Sequence, residues 1–566
     1  MQKNKTYTWH IFLFIFLAIL PILVLRDFTP DNELKYLSIA DESIENGNYF
    51  AFYNHGAPYA DKPPLYLWIV IVGKLIFGEH IMLFLSLFSI IPALITIRIF
   101  NKWVDKYLLR EEKSTAILLL FTSGYFMACS IVLRMDMLMT MFITLSLYTF
   151  YKMYQYNKGG SQIENKRYNK WRIMLPIYIF LAIFTKGAVG ILVPIVSITV
   201  FLAITKNIKT ISKYLGWRTW SILGILCGIW FAGVYLDGGP EYLNNLLFKQ
   251  TISRAVDSFQ HKEAIWYYCV TYWFAIAPWS ILTFIVILLG CIKGFIKSDI
   301  EKLFATVTFC TFIMMSLISS KIVVYLLPCF PFMLYLTSLL IAKLKNNFWV
   351  KLGVTVPSVI FILPFIFSII IQFILNSHTS NTGLLYDIKS YLALLQLWIP
   401  LYIITAIIAI GGIVSLIFVN RNINTSIKLL AISLLLFIFF ASPSLPAINN
   451  LIGLNGGCKK AVELANKLNI SEFAFYDFRA GMNLDAYFKK YMKQSGKYTP
   501  QEIASFKMRK LQKEELSTAS NIVMFVKARD FSRDSLLNNA MGSFPKYIFG
   551  EFAVVPIIKK NTLPSN

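Results

Sequence analysis

Residues 11–25 read IFLFIFLAILPILVL, and residues 26–80 continue RDFTPDNELKYLSIADESIENGNYFAFYNHGAPYADKPPLYLWIVIVGKLIFGEH. The first stretch is apolar throughout and ends abruptly at Leu25-Arg26-Asp27. No small-residue cleavage site follows its basic start, so it reads as an uncleaved first membrane helix rather than a signal peptide. The second stretch is a long polar loop holding Asp27, Asp31, Glu33, Asp41, Glu42, Glu45, Asp61 and Glu79.

The same alternation repeats along the chain. Of its 566 residues 57% are apolar and 15% charged, against roughly 25% charged in soluble domains. That leaves too little polar surface for a water-soluble body. A spanning helix needs roughly 20 apolar residues, and runs fall at 10–25, 81–99, 114–132, 137–152, 173–186, 188–205, 219–236, 264–292, 303–318, 322–342, 352–375, 393–419 and 429–446. This pattern predicts about thirteen transmembrane helices. The net charge of +24 lies in the gaps between the runs. Every second gap is basic: 100–113, 153–172, 206–218, 293–302, 343–351 and 420–428. Basic short loops face the cytoplasm, so the charge is topological and implies no nucleic acid. The other gaps, 26–80, 133–136, around 187, 237–263, 319–321 and 376–392, then face outward. They hold Asp136, Glu241, Asp257 and Glu263 as well as the acids of the first loop.

An odd span count carries residues 447–566 outward too. There the apolar runs give way to short stretches at 472–476, 522–526 and 552–556, with Lys-rich helical patterns at 457–468 and 500–515. This predicts a small α/β domain. The division is a membrane domain over 1–446, with its catalytic outer loop at 26–80, and an outer domain over 447–566. The seven cysteines show no CxxC and no pairing frame, which argues against a disulfide scaffold or a thiolate metal site.

Long structured loops are usually functional. Thr29-Pro30-Asp31 predicts a helix start, with the helix running to about Asn46 and stopped by Gly47. Pro63 and Pro64 start another and hold Asp61 and Lys62 just ahead of it. A helix N-terminus beside a lysine suits a phosphate.

Pro30-Asp31-Asn32-Glu33-Leu34-Lys35-Tyr36, Asn46-Gly47, Tyr59-Ala60-Asp61-Lys62-Pro63-Pro64-Leu65 and Phe77-Gly78-Glu79 together resemble the first periplasmic loop of the 4-amino-4-deoxy-L-arabinose transferase group. That group belongs to the protein-mannosyltransferase-like class of integral-membrane glycosyltransferases, with the GT-C fold. Leu133-Arg134-Met135-Asp136, Thr185-Lys186-Gly187, His261-Lys262-Glu263 with Trp266-Tyr267-Tyr268 and Pro278-Trp279, and Ser320-Lys321 with Tyr325-Leu326-Leu327-Pro328 and Pro331 are similar to further family elements in the same order. The match covers most of 1–345, and all its pieces fall on the side that loop charge assigns to the exterior. The family often reads D-E-x-R-Y where this chain reads Asp31-Asn32-Glu33-Leu34-Lys35-Tyr36. With one extra residue, either Asp31 or Glu33 holds the acid role, and Asp31 is favoured. Asp61 stands where many relatives have Glu.

The resemblance implies a mainly α GT-C membrane fold with juxtamembrane helices in the first loop. It implies an inner-membrane bacterial enzyme, N-terminus cytoplasmic and C-terminus periplasmic, that takes a sugar from undecaprenyl phosphate. The donor's phosphate leaves from the anomeric carbon and gathers charge, so cations should hold it. Lys62 is the first choice, with Lys186 and Lys321 as helpers, although a lysine near a membrane boundary also snorkels to headgroups. Asp31 or Glu33 would serve as base toward a hydroxyl acceptor; an ionised phosphate acceptor needs none. Asp136, at an apolar helix edge, requires a partner, either Arg134 or a substrate group. Tyr59, Tyr66, Arg134 and Tyr325 are the expected substrate contacts. The family pattern implies a divalent metal at Asp61 and His261, with His55 as the alternative ligand. The implied acceptor is lipid A and the sugar an amino sugar, aminoarabinose or a hexosamine such as galactosamine. Such a sugar weakens the pull of the surface on cationic peptides. The alternatives are a protein O-mannosyltransferase-like enzyme, or another enzyme using a polyprenyl-phosphate sugar, and a transporter of lipid-linked sugars. Transporters usually carry internal repeats, and none is seen here.

Overall fold

The computed structural model describes residues 2–159, 165–248, 262–344, 347–377, 399–478 and 480–558. Helix dominates. Helix α1 is Gln2–Leu25. The loop after it folds into helix α2, Glu33–Asn46, a hairpin of β1, Tyr53–Asn54, and β2, Ala57–Pro58, and helix α3, Pro64–Phe77. Helix α4 is Met82–Trp103. Gly47 stops α2 with φ 73°, a left-handed cap that donates to the Ser43 carbonyl, as glycine permits without penalty. The expected start of α2 moves from Thr29 to Glu33. The reason is local: the Glu33 carboxylate reaches back to the Thr29 N–H at 2.6 Å, and the residues between them form a turn.

Eight helices among the described residues are long and apolar enough to cross a membrane, or ten if each of two bent pairs is one span. The chain is a multi-pass membrane protein. The expected spans at 137–152, 173–186 and 188–205 coincide with helices Asp136–Asn157, Asn165–Lys186 and Val189–Ile204, which are not among the eight. Two expected straight spans are not straight. The one at 114–132 is Arg110–Phe121 followed by Gly124–Ile131, bent by 69°. The one at 264–292 is Tyr267–Ala275 followed by Ser280–Ile292, bent by 118°. The breaks hold one another. The Trp279 indole N–H donates to the Thr122 hydroxyl at 3.0 Å, and the Gly124 N–H donates to the Ala277 carbonyl at 2.8 Å. A Cβ on Gly124 would sit 3.1 Å from the Phe274 carbonyl oxygen, tighter than an ordinary contact. The expected loop 376–392 and the start of the span at 393–419 lie almost wholly outside the described residues.

After helices Ile423–Ala441 and Leu445–Ile452, the chain forms a five-stranded sheet in the order β4-β3-β5-β7-β6. The three apolar stretches read from sequence become β3 (Glu472–Phe475), β5 (Ile522–Lys527) and β7 (Phe552–Ile557). Edge strands β4 (Arg509–Lys510) and β6 (Tyr547–Phe549) join them. Strand β3 pairs in parallel with β4 and β5, while β7 is antiparallel to β5 and β6. The helical pattern at 457–468 is the helix Leu454–Leu468. The one at 500–515 is not a single helix. It stops at Ala504, because Phe506 turns inward between Phe473 and Phe488 and the chain then adds β4 to the sheet edge.

One apolar cluster joins this sheet to the first loop. Leu34, Leu37, Tyr66 and Val70 share it with Phe475, Phe488, Phe525 and Val554, and Leu133 and Met135 belong to it as well. The first loop is therefore clamped between the spanning helices and the C-terminal sheet.

Candidate active site

Asp136 starts the helix Asp136–Asn157 with its side chain 1% exposed. A buried carboxylate is costly unless paired, and it has two cations. The Arg134 Nε donates to its Oδ2 at 3.0 Å. The Lys186 ammonium, from the last turn of the helix Asn165–Lys186, contacts its Oδ1. The Lys186 Nζ also stands 4.7 Å from the centre of the Tyr325 ring. Asp61, Lys62 and Arg134 lie within electrostatic reach of Lys186.

The first loop supplies the opposite wall. The Lys62 Nζ is 3.0 Å from the Asp61 Oδ2. The Tyr59 hydroxyl is 3.5 Å from the same oxygen, and the Lys35 Nζ lies 4.4 Å from the Tyr59 ring centre. The Tyr36 and Tyr66 rings meet edge to face at 5.6 Å. Burial pushes the Tyr36 hydroxyl up to about 12, with Asp61, Tyr325 and Glu33 adding to the rise and Arg134 opposing it. Tyr36 is thus a neutral donor at neutral pH. The Tyr66 hydroxyl is buried with no hydrogen-bond partner among the described residues, a group that a bound ligand can satisfy. Lys35, Lys62, Arg134 and Lys186 set four cations against the two carboxylates Asp61 and Asp136.

Other expected residues have partners of their own. Glu33 is fully buried and takes both Arg26 guanidinium nitrogens at 2.7 Å, the Thr29 N–H, and the Leu133 N–H at 2.6 Å. Its lone pairs hold the first loop to the turn that precedes Asp136. Asp31 is exposed. Lys321 is buried and donates to the Glu263 carbonyl at 2.9 Å, which ties the two ends of the segment from 263 to 321 together. His55 does not lie beside Asp61. Its Nε2 is 2.9 Å from the Asp485 Oδ2 and 2.7 Å from the Met482 carbonyl, at the seam with the C-terminal sheet. His261 lies outside the described residues. No group of three or more His, Cys, Asp or Glu suited to a metal occurs among the described residues.

Sequence reasoning missed the groups that position the loop. The Asp237 Oδ2 accepts the N–H groups of Phe50 and Ala51 at 2.7 and 2.8 Å. The Tyr242 hydroxyl accepts the Phe52 N–H at 2.9 Å and donates to the Tyr59 carbonyl at 2.8 Å. The available signal was a carboxylate ending an apolar run at Gly238-Gly239-Pro240.

The site thus gathers part-buried cations and tyrosines where the folded first loop meets helix ends. Residues 61–231 match the family model described as dolichyl-phosphate-mannose-protein mannosyltransferase, a span that holds Asp61, Lys62, Arg134, Asp136 and Lys186. The chain is 30% identical over 339 residues to an undecaprenyl phosphate-alpha-4-amino-4-deoxy-L-arabinose arabinosyl transferase from Wigglesworthia glossinidia brevipalpis, covering 58% of this chain and 57% of that protein. It is 24% identical over 361 residues to one from Proteus mirabilis, covering 61% and 62%. The alignment thus spans less than two thirds of either relative's length. The fold matches the crystal structure of ArnT from Cupriavidus metallidurans bound to undecaprenyl phosphate with a TM-score of 0.72 and 15% identity, over 98% of this chain and 99% of that one. The chain is thus similar to protein-mannosyltransferase-like enzymes over residues 61–231 and to 4-amino-4-deoxy-L-arabinose transferases over more than half its length, and it shares the fold of one of them.

Proposed function

We propose that this protein is a glycosyltransferase of the bacterial inner membrane. It moves an amino sugar, aminoarabinose or a hexosamine such as galactosamine, from undecaprenyl phosphate to lipid A. In this reading the chain crosses the membrane thirteen times, with its N-terminus cytoplasmic and residues 447–566 periplasmic. The three helices Asp136–Asn157, Asn165–Lys186 and Val189–Ile204, added to the ten spans above, supply that number.

One observation carries the choice of reaction. The buried carboxylates of the site, Glu33 and Asp136, are each committed to cations, and Asp61 faces Lys62. A hydroxyl acceptor needs a free base to take its proton. A phosphate acceptor is already ionised and needs cations instead. The site therefore favours a phosphate of lipid A over the hydroxyl of a protein. In the reaction an acceptor phosphate oxygen attacks the anomeric carbon, and the bond to the donor phosphate breaks. Lys62 and Lys186 stabilise the charge that collects on the departing phosphate, and Asp136 holds Lys186 and Arg134 in place. Tyr36 and Tyr66 donate to the sugar or phosphate. A divalent ion at Asp61 and His261 would add positive charge at the same wall.

The test is the mass of lipid A from cells with and without this protein. An added amino sugar that disappears on deletion is expected; an unchanged profile sinks the proposal.

A further inference from the structure

A second cavity, of about 900 Å³, lies away from the Asp136 cluster, between α2, the end of α3 and the helix Asp485–Ser495. Its volume is that of a ligand site. Its two walls differ in chemistry. That helix presents Lys489, Lys490 and Lys493; none is in a close ion pair among the described residues, although Lys489 acts on Asp41 and Lys490 on Asp27 at longer range. The loop wall presents Asp41 and His80, whose side chains are both 5% exposed and joined through the Asp41 Oδ1 and His80 Nε2 at 2.8 Å. The Asp41 Oδ2 and the His80 Nδ1 are buried and have no partner among the described residues. Unsatisfied buried polar atoms are rare in native structures, and these two line an open cavity.

We propose that this cavity binds the headgroup of a membrane lipid carrying both a phosphate and hydroxyl groups. The phosphate meets the lysine wall. A hydroxyl donates to the Asp41 Oδ2. That carboxylate already faces His80, Lys74 at 3.4 Å and, at longer range, Lys489, so it calls for a neutral donor rather than another cation. The source is the membrane rather than free phosphate, because the rim is apolar and exposed. Leu75 and Phe77 line the cavity and are exposed, as are their neighbours Val72 and Ile76 on α3. Acyl chains can follow that helix surface while the headgroup turns inward. The proposal stands apart from the transfer reaction and is tested without it.

Native mass spectrometry of the full-length protein in detergent, titrated with phosphatidylglycerol, tests it. One retained phosphatidylglycerol is expected, bound about tenfold more tightly than phosphatidylcholine. The double variant Lys490→Ala, Lys493→Ala changes two exposed residues and should keep its melting temperature while losing roughly tenfold in affinity for phosphatidylglycerol. Lys62→Ala, in the other site, should bind as the unmodified protein does. Equal binding by the double variant overturns the proposal, as does equal retention of phosphatidylcholine. Tighter binding of phosphatidylethanolamine than of phosphatidylglycerol would overturn the neutral-donor contact at Asp41 and with it the proposal. Displacement of the lipid by an equal concentration of glycerol phosphate would assign the cavity to a soluble anion instead. Selectivity in the unmodified protein decides the matter even where the variant fails to fold.

Discussion

Glu33 accepts hydrogen bonds from Arg26, Thr29 and Leu133, and its role follows from that. The pair it makes with Arg26 is buried, so removing one partner strands the other. Arg26→Ala should cost roughly 3–5 kcal/mol, read as a lowered melting temperature in detergent, and should drop transfer activity through the displaced 131–136 turn. Lys62 is different: it faces the site and its loss leaves the fold intact. Lys62→Ala should reduce kcat/KM about 100-fold, the scale of removing one donor from a developing anion, with Lys62→Arg recovering part of it. Asp31→Asn, at an exposed position, should leave transfer within about twofold, since exposed changes away from such features have small effects. A collapse of activity in Asp31→Asn would return the base role to that residue.

At the scale of elements, the seam between the first loop and the C-terminal sheet depends on pH. Burial lowers His55, but its hydrogen bond and charge contact with Asp485 outweigh burial and raise it above its usual value. The stabilisation is therefore complete below the unfolded value of about 6.5 and is lost as pH rises through the folded one. Glu42 acts in the opposite sense. Burial would raise it, but Lys507 and the N–H groups of Gly56 and His55 hold it low. Its contribution is present above about 4.3 and is lost as pH falls through the lower folded value. The melting temperature should be greatest between these limits, and His55→Gln should flatten only the alkaline side. The same elements show what was legible beforehand. Strands β3, β5 and β7 could be read because their apolar stretches are short and bounded by polar residues. The site motif at Asp61-Lys62-Pro63-Pro64 could be read because proline marks a helix start. The breaks at Thr122-Ser123 and at Ile276–Trp279 could not, because hydropathy records burial and not direction. Glu33, too, could not be told from a base by type alone. Its partners Arg26 and Leu133 are set by tertiary contact.

In the whole molecule the first loop packs between the spanning helices and the C-terminal sheet, and it contributes both to the Asp136 cluster and to the lysine-walled cavity. In the proposed reading this places the chemistry at a membrane surface, where a lipid donor and a lipid acceptor can both arrive. A cysteine placed at an exposed position just before the edge strand β6, such as Lys546→Cys, should react with an impermeant thiol reagent added outside spheroplasts. Protection there, with labelling only after lysis, would reverse the topology. The central claim is tested most directly with the purified full-length protein. It is supplied with undecaprenyl phosphate-linked aminoarabinose and lipid A, and the lipid A is weighed by mass spectrometry. The account predicts a gain of one amino sugar, lost when the acceptor's phosphates are removed beforehand. A mass that stays unchanged with this donor and with its galactosamine counterpart, or a gain that survives removal of those phosphates, would contradict it.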